Sequence, residues 1–241
     1  MTDCDCDNVK LVELMFVGLK QLSIEEDSWD ANVNCNDGEF VVIGGYSSPS
    51  SSNQVFVINP DGTDVVGFPL TLGEKVKAGI ALADFNGNGK DDMVIGTDDD
   101  HLYLIHDDGT IAPGFPFVGS DKFQAAPSVV DINGEKIIFS GNNDHGFYAI
   151  NDDGSLRFSL VTGDRVNTSP AFMEINGDLH VLFGSKDDSI YIVDMDGDIL
   201  PNWPVSVNGN IEGSIICSDL DGDNVAEVIG VTDEGKIFAF N

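Results

Sequence analysis

Short apolar runs separated by turn residues recur along the chain, and their order is regular. One series reads QVFVI (54–58), HLYLI (101–105), GFYAI (146–150) and SIYIV (189–193), and each member is followed by a turn rich in Asp and Gly. A second series, EFVVIGG, DDMVIGT, EKIIFSG, LHVLFGS and AEVIGV, ends on or near glycine, and its first four members lead into the first series in turn. The runs are short, dominated by β-branched and aromatic residues, and bounded by Gly, Asn, Asp and Ser. That pattern predicts β-strands. The turns NPDG, HDDG, NDDG and DMDG end at Gly62, Gly109, Gly154 and Gly197, at intervals of 47, 45 and 43 residues. A period in this range marks a repeat whose unit is a small sheet, as in a propeller blade.

Each unit holds four strands, the fourth carrying an aromatic-proline pair: Phe68-Pro69, Phe115-Pro116 and Trp203-Pro204, with Leu160-Val161 in the third unit instead. The last unit stops at KIFAFN, its third strand, while KLVELMFVGL near the N-terminus has the position of a fourth strand with no unit before it. Pairing these ends predicts an all-β chain, a β-propeller of five four-stranded blades closed by the N-terminal strand, which removes exposed sheet edges. Residues 9–22 also fit helical spacing, at Leu11, Leu14 or Met15, Gly18 and Leu22; ring closure favours the strand. The chain 1–241 then forms one domain, with a leader and closing strand over 1–22 and repeats at about 23–73, 74–120, 121–164, 165–208 and 209–241.

The turn between the first two strands of each unit comes in two kinds. Three units have Asp37-Gly38, Asn133-Gly134 or Asn176-Gly177 there, pairs suited to a two-residue hairpin. The other two have DFNGNGKDD and DLDGDNVAE. The first sets Asp84, Asn86, Asn88, the Lys90 carbonyl and Asp92 in order, and the second Asp219, Asp221, Asp223, the Val225 carbonyl and Glu227. Oxygens at alternate positions, with a turn residue sixth (Gly89, Asn224), are what a loop needs to wrap a hard cation, and they predict calcium sites.

Charge sharpens this reading. With 11 basic and 42 acidic residues the net charge is −31. Such a field repels nucleic acid and anionic membrane surfaces, and bound cations would relieve its self-repulsion. No run reaches the roughly 18 apolar residues of a membrane span, which argues against insertion. Cys4 and Cys6 lie in an acidic leader and Cys35 and Cys217 in strand contexts, so no disulfide framework is indicated. MTDCDCDNVK lacks the basic and then apolar order of a secretory leader.

The two cation-shaped loops, with Ala126-Pro127-Ser128 leading into VVDING and Ser169-Pro170 leading into FMEING, resemble the FG-GAP and VCBS repeats, whose blades occur in integrin α-subunits and many secreted bacterial proteins. The resemblance spans about residues 30–241 and implies a propeller with calcium in its blade hairpins, placed outside the cell or on its surface and used for adhesion or ligand binding. This chain has two intact loops and five units, fewer than the seven usual in integrins.

Catalytic signatures are sparse. His101, His106, His145 and His180 are the only histidines, and neither Gly-x-Ser-x-Gly nor His-Glu-x-x-His occurs. His101 and His145 fall in loops between second and third strands, at the end of the ring opposite the cation loops. Those loops, with Asp98, Asp100, His101, Asp144, His145 and Asp188, are the candidate ligand surface. The reading is a calcium-stabilised recognition or adhesion module for a carbohydrate or protein, working as a monomer or as one domain of a larger assembly. The alternatives are a scaffold propeller and a carboxylate-pair glycosidase or lyase using the central channel.

Overall fold

The computed structural model describes residues 31–34, 40–45, 53–59, 61–223 and 225–240. They form antiparallel sheets, and no helix occurs among them. The first sheet holds β1 (Ala31–Asn34), β2 (Phe40–Gly44), β3 (Gln54–Ile58) and β4 (Leu70–Thr71); the second β5 (Ala81–Ala83), β6 (Asp92–Gly96), β7 (His101–Ile105) and β8 (Phe117–Val118). The third holds β9 (Ser128–Ile132), β10 (Glu135–Gly141), β11 (Gly146–Asn151) and β12 (Leu156–Val161), and the fourth β13 (Ala171–Ile175), β14 (Asp178–Gly184), β15 (Ser189–Val193) and β16 (Val205–Ser206). The last holds β17 (Ile216–Ser218), β18 (Glu227–Val231) and β19 (Ile237–Phe240). Strands pair in chain order within every sheet, because each connection is short enough to return the chain only to the adjacent position.

The second and third strands are apolar without interruption because both faces of each sheet are covered. On β6, Met93 and Ile95 pack with Val42, Val55 and Val57 of the first sheet, while Val94 between them packs with Ile138 and Ile150 of the third. On β10, Ile137 and Phe139 face Val181 and Phe183 of the fourth sheet, where the rings of Phe147, Phe183 and Tyr191 stack at 3.8 and 5.0 Å. Leu182, Ile190 and Ile192 pack with Val228 of the last sheet and with Ile215, just before it. Period-two alternation thus divides one strand between two neighbouring sheets, and each such side chain contributes about 1.5–3 kcal/mol by leaving water. First strands of neighbouring sheets also meet, β5 beside β9 and β13 beside β17.

Local sequence also sets where strands stop. Asn133 and Gly134 have φ of 57° and 89°, and Asn176 and Gly177 have 55° and 93°, the two positive values of a type I′ turn. The fourth strand has two residues in the sheets that carry Phe68-Pro69, Phe115-Pro116 and Trp203-Pro204, all cis, and six in the sheet with Leu160-Val161. Proline offers no N–H to the ladder, so pairing stops beside it.

The expected closing strand in residues 1–22 lies outside the described residues, as do Asp37-Gly38 and Asn224. Among the described residues the last sheet has three strands, and the sheets do not close into a ring. No helix of the described residues is long and apolar enough to cross a membrane.

Candidate functional site

The loop joining β5 to β6 folds around its own carboxylates. Asp84 Oδ1 accepts the N–H groups of Gly87 (2.7 Å) and Asn88 (3.1 Å), and Oδ2 accepts that of Gly89 (2.8 Å). The Gly89 N–H, and then those of Gly87 and Asn88, hold the Asp84 carboxyl below the usual carboxylate range. Gly87 and Gly89, at φ of 72° and 83°, let the backbone turn inward to supply these donors. Asn86 Oδ1 accepts Asn88 N–H, and Asn88 Oδ1 accepts Lys90 N–H.

Sequence reasoning did not anticipate what closes this loop from outside. The turn after β7 brings Asp107 over it, where Oδ2 pairs with Lys90 Nζ at 2.8 Å and Oδ1 accepts Asn88 Nδ2 at 2.8 Å. Lys90 holds the Asp107 carboxyl low, and Asp107 raises Lys90 in return. Asp92 is fully buried, and both its oxygens are engaged: Oδ2 accepts Phe85 N–H, and Oδ1 accepts Asp107 N–H and Asn86 Nδ2, with His106 Nδ1 at 3.2 Å. No repeat signal in HDDG distinguishes Asp107, because its neighbours at that position are Pro60, Asp152 and Met195.

The loop joining β17 to β18 has the same frame and a different interior. Asp219 Oδ1 accepts Gly222 N–H, Asp221 Oδ1 accepts Asp223 N–H, and Asp223 Oδ1 accepts Val225 N–H. Ligand oxygens of Asp219, Asp221 and Asp223 lie within 4.8 Å of one another, and opposite ligands of a calcium ion are separated by at most ~5 Å. Glu227 reaches back so that Oε2 accepts Leu220 N–H at 2.7 Å, which leaves Oε1 buried without a hydrogen-bond partner. A buried carboxylate oxygen with no hydrogen-bond partner is costly unless a cation meets it. The clustered oxygens of Asp219, Asp221 and Asp223 are of the kind a hard cation such as calcium takes. In the Asp84 loop, protein donors already meet the corresponding carboxylate, Asp92.

The opposite ends of the sheets carry the candidate ligand loops, and their backbones repeat closely. Thr97 N–H bonds to His101 O, Asn142 to Gly146 O, Ser185 to Ser189 O and Thr232 to Lys236 O, at 2.9–3.0 Å. Each loop is tied to the segment leading into its sheet's first strand, through Asp98 N–H to Lys75 O, Asn143 to Lys122 O, Lys186 to Arg165 O and Asp233 to Asn210 O. The left-handed position is filled by Asp100, His145, Asp188 and Gly235, with φ of 74°, 71°, 66° and 79°. His145 is thus the counterpart of Asp100, and Gly146 that of His101.

The six candidate ligand residues separate by role. His145 is exposed at its loop tip, and Asp100 and Asp188 are partly exposed at theirs. Asp98 is held by Lys77 Nζ at 3.2 Å and by Gln124 Nε2. Asp144 accepts Gly146 N–H and the Tyr148 hydroxyl, as Asp187 accepts Ser189 N–H and the Tyr191 hydroxyl. Burial, and then these carboxylates, push both tyrosine hydroxyls far above their ordinary value.

No protein-family model and no curated protein matches the chain. Among solved structures it is similar to BBS1N in complex with ARL6DN. The mercury-soaked crystal gives a TM-score of 0.59 and 14% identity, covering 84% of this chain and 60% of that one. The lead-soaked crystal gives 0.58 and 12%, covering 88% and 62%. It is also similar to BamB from Moraxella catarrhalis, at a TM-score of 0.62 and 13% identity over 86% of this chain and 59% of that one. Both neighbours are β-propellers, and the likeness places this all-β chain in that fold. The chain spans about 60% of the length of these structures.

Proposed function

We propose that the chain is a protein-recognition propeller whose loop face binds the partner and whose β17–β18 hairpin holds calcium, as FG-GAP and VCBS repeats do. One observation carries the recognition reading: four loops share one backbone frame while the tip varies among aspartate (Asp100 and Asp188), His145 and Gly235. A constant frame with varied tips is how a rigid scaffold presents binding residues. The neighbour BBS1N, crystallised in complex with ARL6DN, supports a protein as the kind of partner. Calcium belongs to the opposite end, where it would tie the last sheet's hairpin without touching the partner.

The test removes the tips and keeps the frame. A triple variant Asp100→Gly, His145→Gly, Asp188→Gly suits the positive φ at each position, as Gly235 already does. It should melt within a few degrees of the parent and lose partners that the parent captures by crosslinking, with no binding on a glycan array in either form. Partners retained by the variant would move the site elsewhere, and glycan binding by the parent would make the ligand a carbohydrate. Ring closure is part of the same proposal. Deleting residues 1–22 should broaden and lower the melting transition, since β19 would lose its outer partner and Ile237, 80% exposed among the described residues, would stay in water. A truncated chain melting as sharply as the parent would remove the N-terminal strand from the ring.

A further inference from the structure

We propose that Asp99, Asp100 and His101, on the loop between β6 and β7, form a binding site for a divalent transition metal ion of the zinc type. It lies at the end of the sheets away from the two cation-shaped hairpins and draws on none of their residues. His101 Nδ1 stands 3.0 Å from Asp99 Oδ2 and 3.3 Å from Asp100 Oδ1. Neither contact is a hydrogen bond, and Nδ1 is sealed from solvent without a partner. An ordinary imidazolium–carboxylate pair would aim its N–H along one oxygen. Here the nitrogen lies near two oxygens and bonds to neither, while one ligand atom from each residue lies within 4.8 Å of the others.

The spacing suits a metal. Zinc–nitrogen and zinc–oxygen bonds of ~2.0–2.2 Å set neighbouring ligands of a tetrahedral ion about 3.4 Å apart, and an octahedral shell sets them at about 3.0 Å. The two distances at Nδ1 lie within this range and do not select one geometry. Surrounding groups orient the ligands: Thr97 Oγ1 donates to Asp99 Oδ1, turning Oδ2 toward the ring, and Gly119 N–H binds Asp100 O at 2.8 Å. Side chains of Asp100 and His101 remain 41% and 28% exposed, so the cluster borders solvent although Nδ1 itself is covered. An imidazole with two carboxylates favours zinc, cobalt or nickel over calcium, which takes oxygen ligands.

The equivalent loops of the third and fourth sheets show what suits the second sheet. Asp144 and Asp187, the counterparts of Asp99, are bound by Tyr148 and Tyr191, and Gly146 and Ser189 stand where His101 does. In the second sheet the ring of His101 lies 5.8 Å from that of Tyr103, and the Asp99 carboxylate meets the imidazole. The repeated frame is unchanged and the chemistry at its tip is new.

The experiment uses the full chain with Cys4→Ser and Cys6→Ser, which removes thiols as competing soft ligands, and with calcium in excess. Zinc is titrated by calorimetry and cobalt by its visible absorption. One equivalent of either ion should bind, with His101→Gln and Asp99→Asn each weakening affinity at least about tenfold and Asp219→Asn leaving it unchanged. Asp100→Asn, at a partly exposed tip, gives the same reading should His101→Gln fail to fold. No uptake up to millimolar metal, or uptake indifferent to these three ligand variants, would overturn the site. Since calcium is present throughout and the β17–β18 hairpin is varied separately, failure here leaves the calcium proposal standing.

Discussion

Gly67→Ala should cost the fold about 3–5 kcal/mol, and Gly114→Ala the same, the largest single-residue effects expected in this chain. A Cβ at Gly67 would stand 1.9 Å from the backbone oxygen of Asp108, and one at Gly114 would stand 1.9 Å from that of Asp153. Both obstacles are backbone of the next sheet, so the two sheets must separate to make room. The contact is reciprocal, because a Cβ at Gly109 would meet Gly67 O at 2.5 Å and one at Gly154 would meet Gly114 O at 2.3 Å. Positive φ, 99° and 87°, adds strain for any side chain. Gly134 supplies the control. Its φ is 89° but nothing lies within 4 Å of a Cβ there, so Gly134→Ala should cost only about 1–2 kcal/mol. Urea unfolding of the three variants measures the difference, and equal losses would mean that the sheet-to-sheet approach contributes nothing.

Glu227→Gln should raise the melting temperature of the calcium-free protein and abolish the response to calcium. Without metal, Oε1 of Glu227 is a buried oxygen with no hydrogen-bond partner in a loop that carries three more carboxylates, and neutralising it relieves about 1–3 kcal/mol of cost. With metal, the parent gains about 2.7 kcal/mol at a hundredfold excess of calcium over its Kd, and the variant gains little. The two melting curves should therefore cross on adding calcium. Asp219→Ala should likewise remove more of the calcium effect than Asp84→Ala. The β17–β18 hairpin offers four carboxylates, whereas the β5–β6 hairpin offers Asp84 and Asp92 with neutral Asn86 and Asn88 between them, and Asp92 is already met by Phe85, Asn86 and Asp107. Differential scanning calorimetry with calcium and with chelator reads all four proteins. A parent indifferent to chelator would remove calcium from the proposal and leave the loop face untouched.

What could be read from the chain alone was whatever is decided within about ten residues. The strands from Gln54, His101, Gly146 and Ser189 begin where the apolar runs do, because β-branched and aromatic residues between turn formers have one favourable backbone state. Asn133-Gly134 and Asn176-Gly177 make their turns because only such pairs accept two positive φ values cheaply. Long oxygen-rich loops in place of two of those turns were visible for the same reason. Residues brought together by sheets packing on one another were not. Asp98 looked free in TDDDH, yet Lys77 and Gln124 arrive from segments 21 and 26 residues away and occupy it. The two cation-shaped hairpins share one spacing in sequence and differ visibly only in carboxylate number; Asp107, from a turn 15 residues beyond Asp92, meets one buried carboxylate, while the other retains an unpartnered oxygen at Glu227. Spacing along a chain specifies which donors a loop can offer. Only the packed sheets decide which of those donors the protein itself has already satisfied, because a buried charge takes its partner from whatever backbone or side chain the neighbouring sheet brings within about 3 Å.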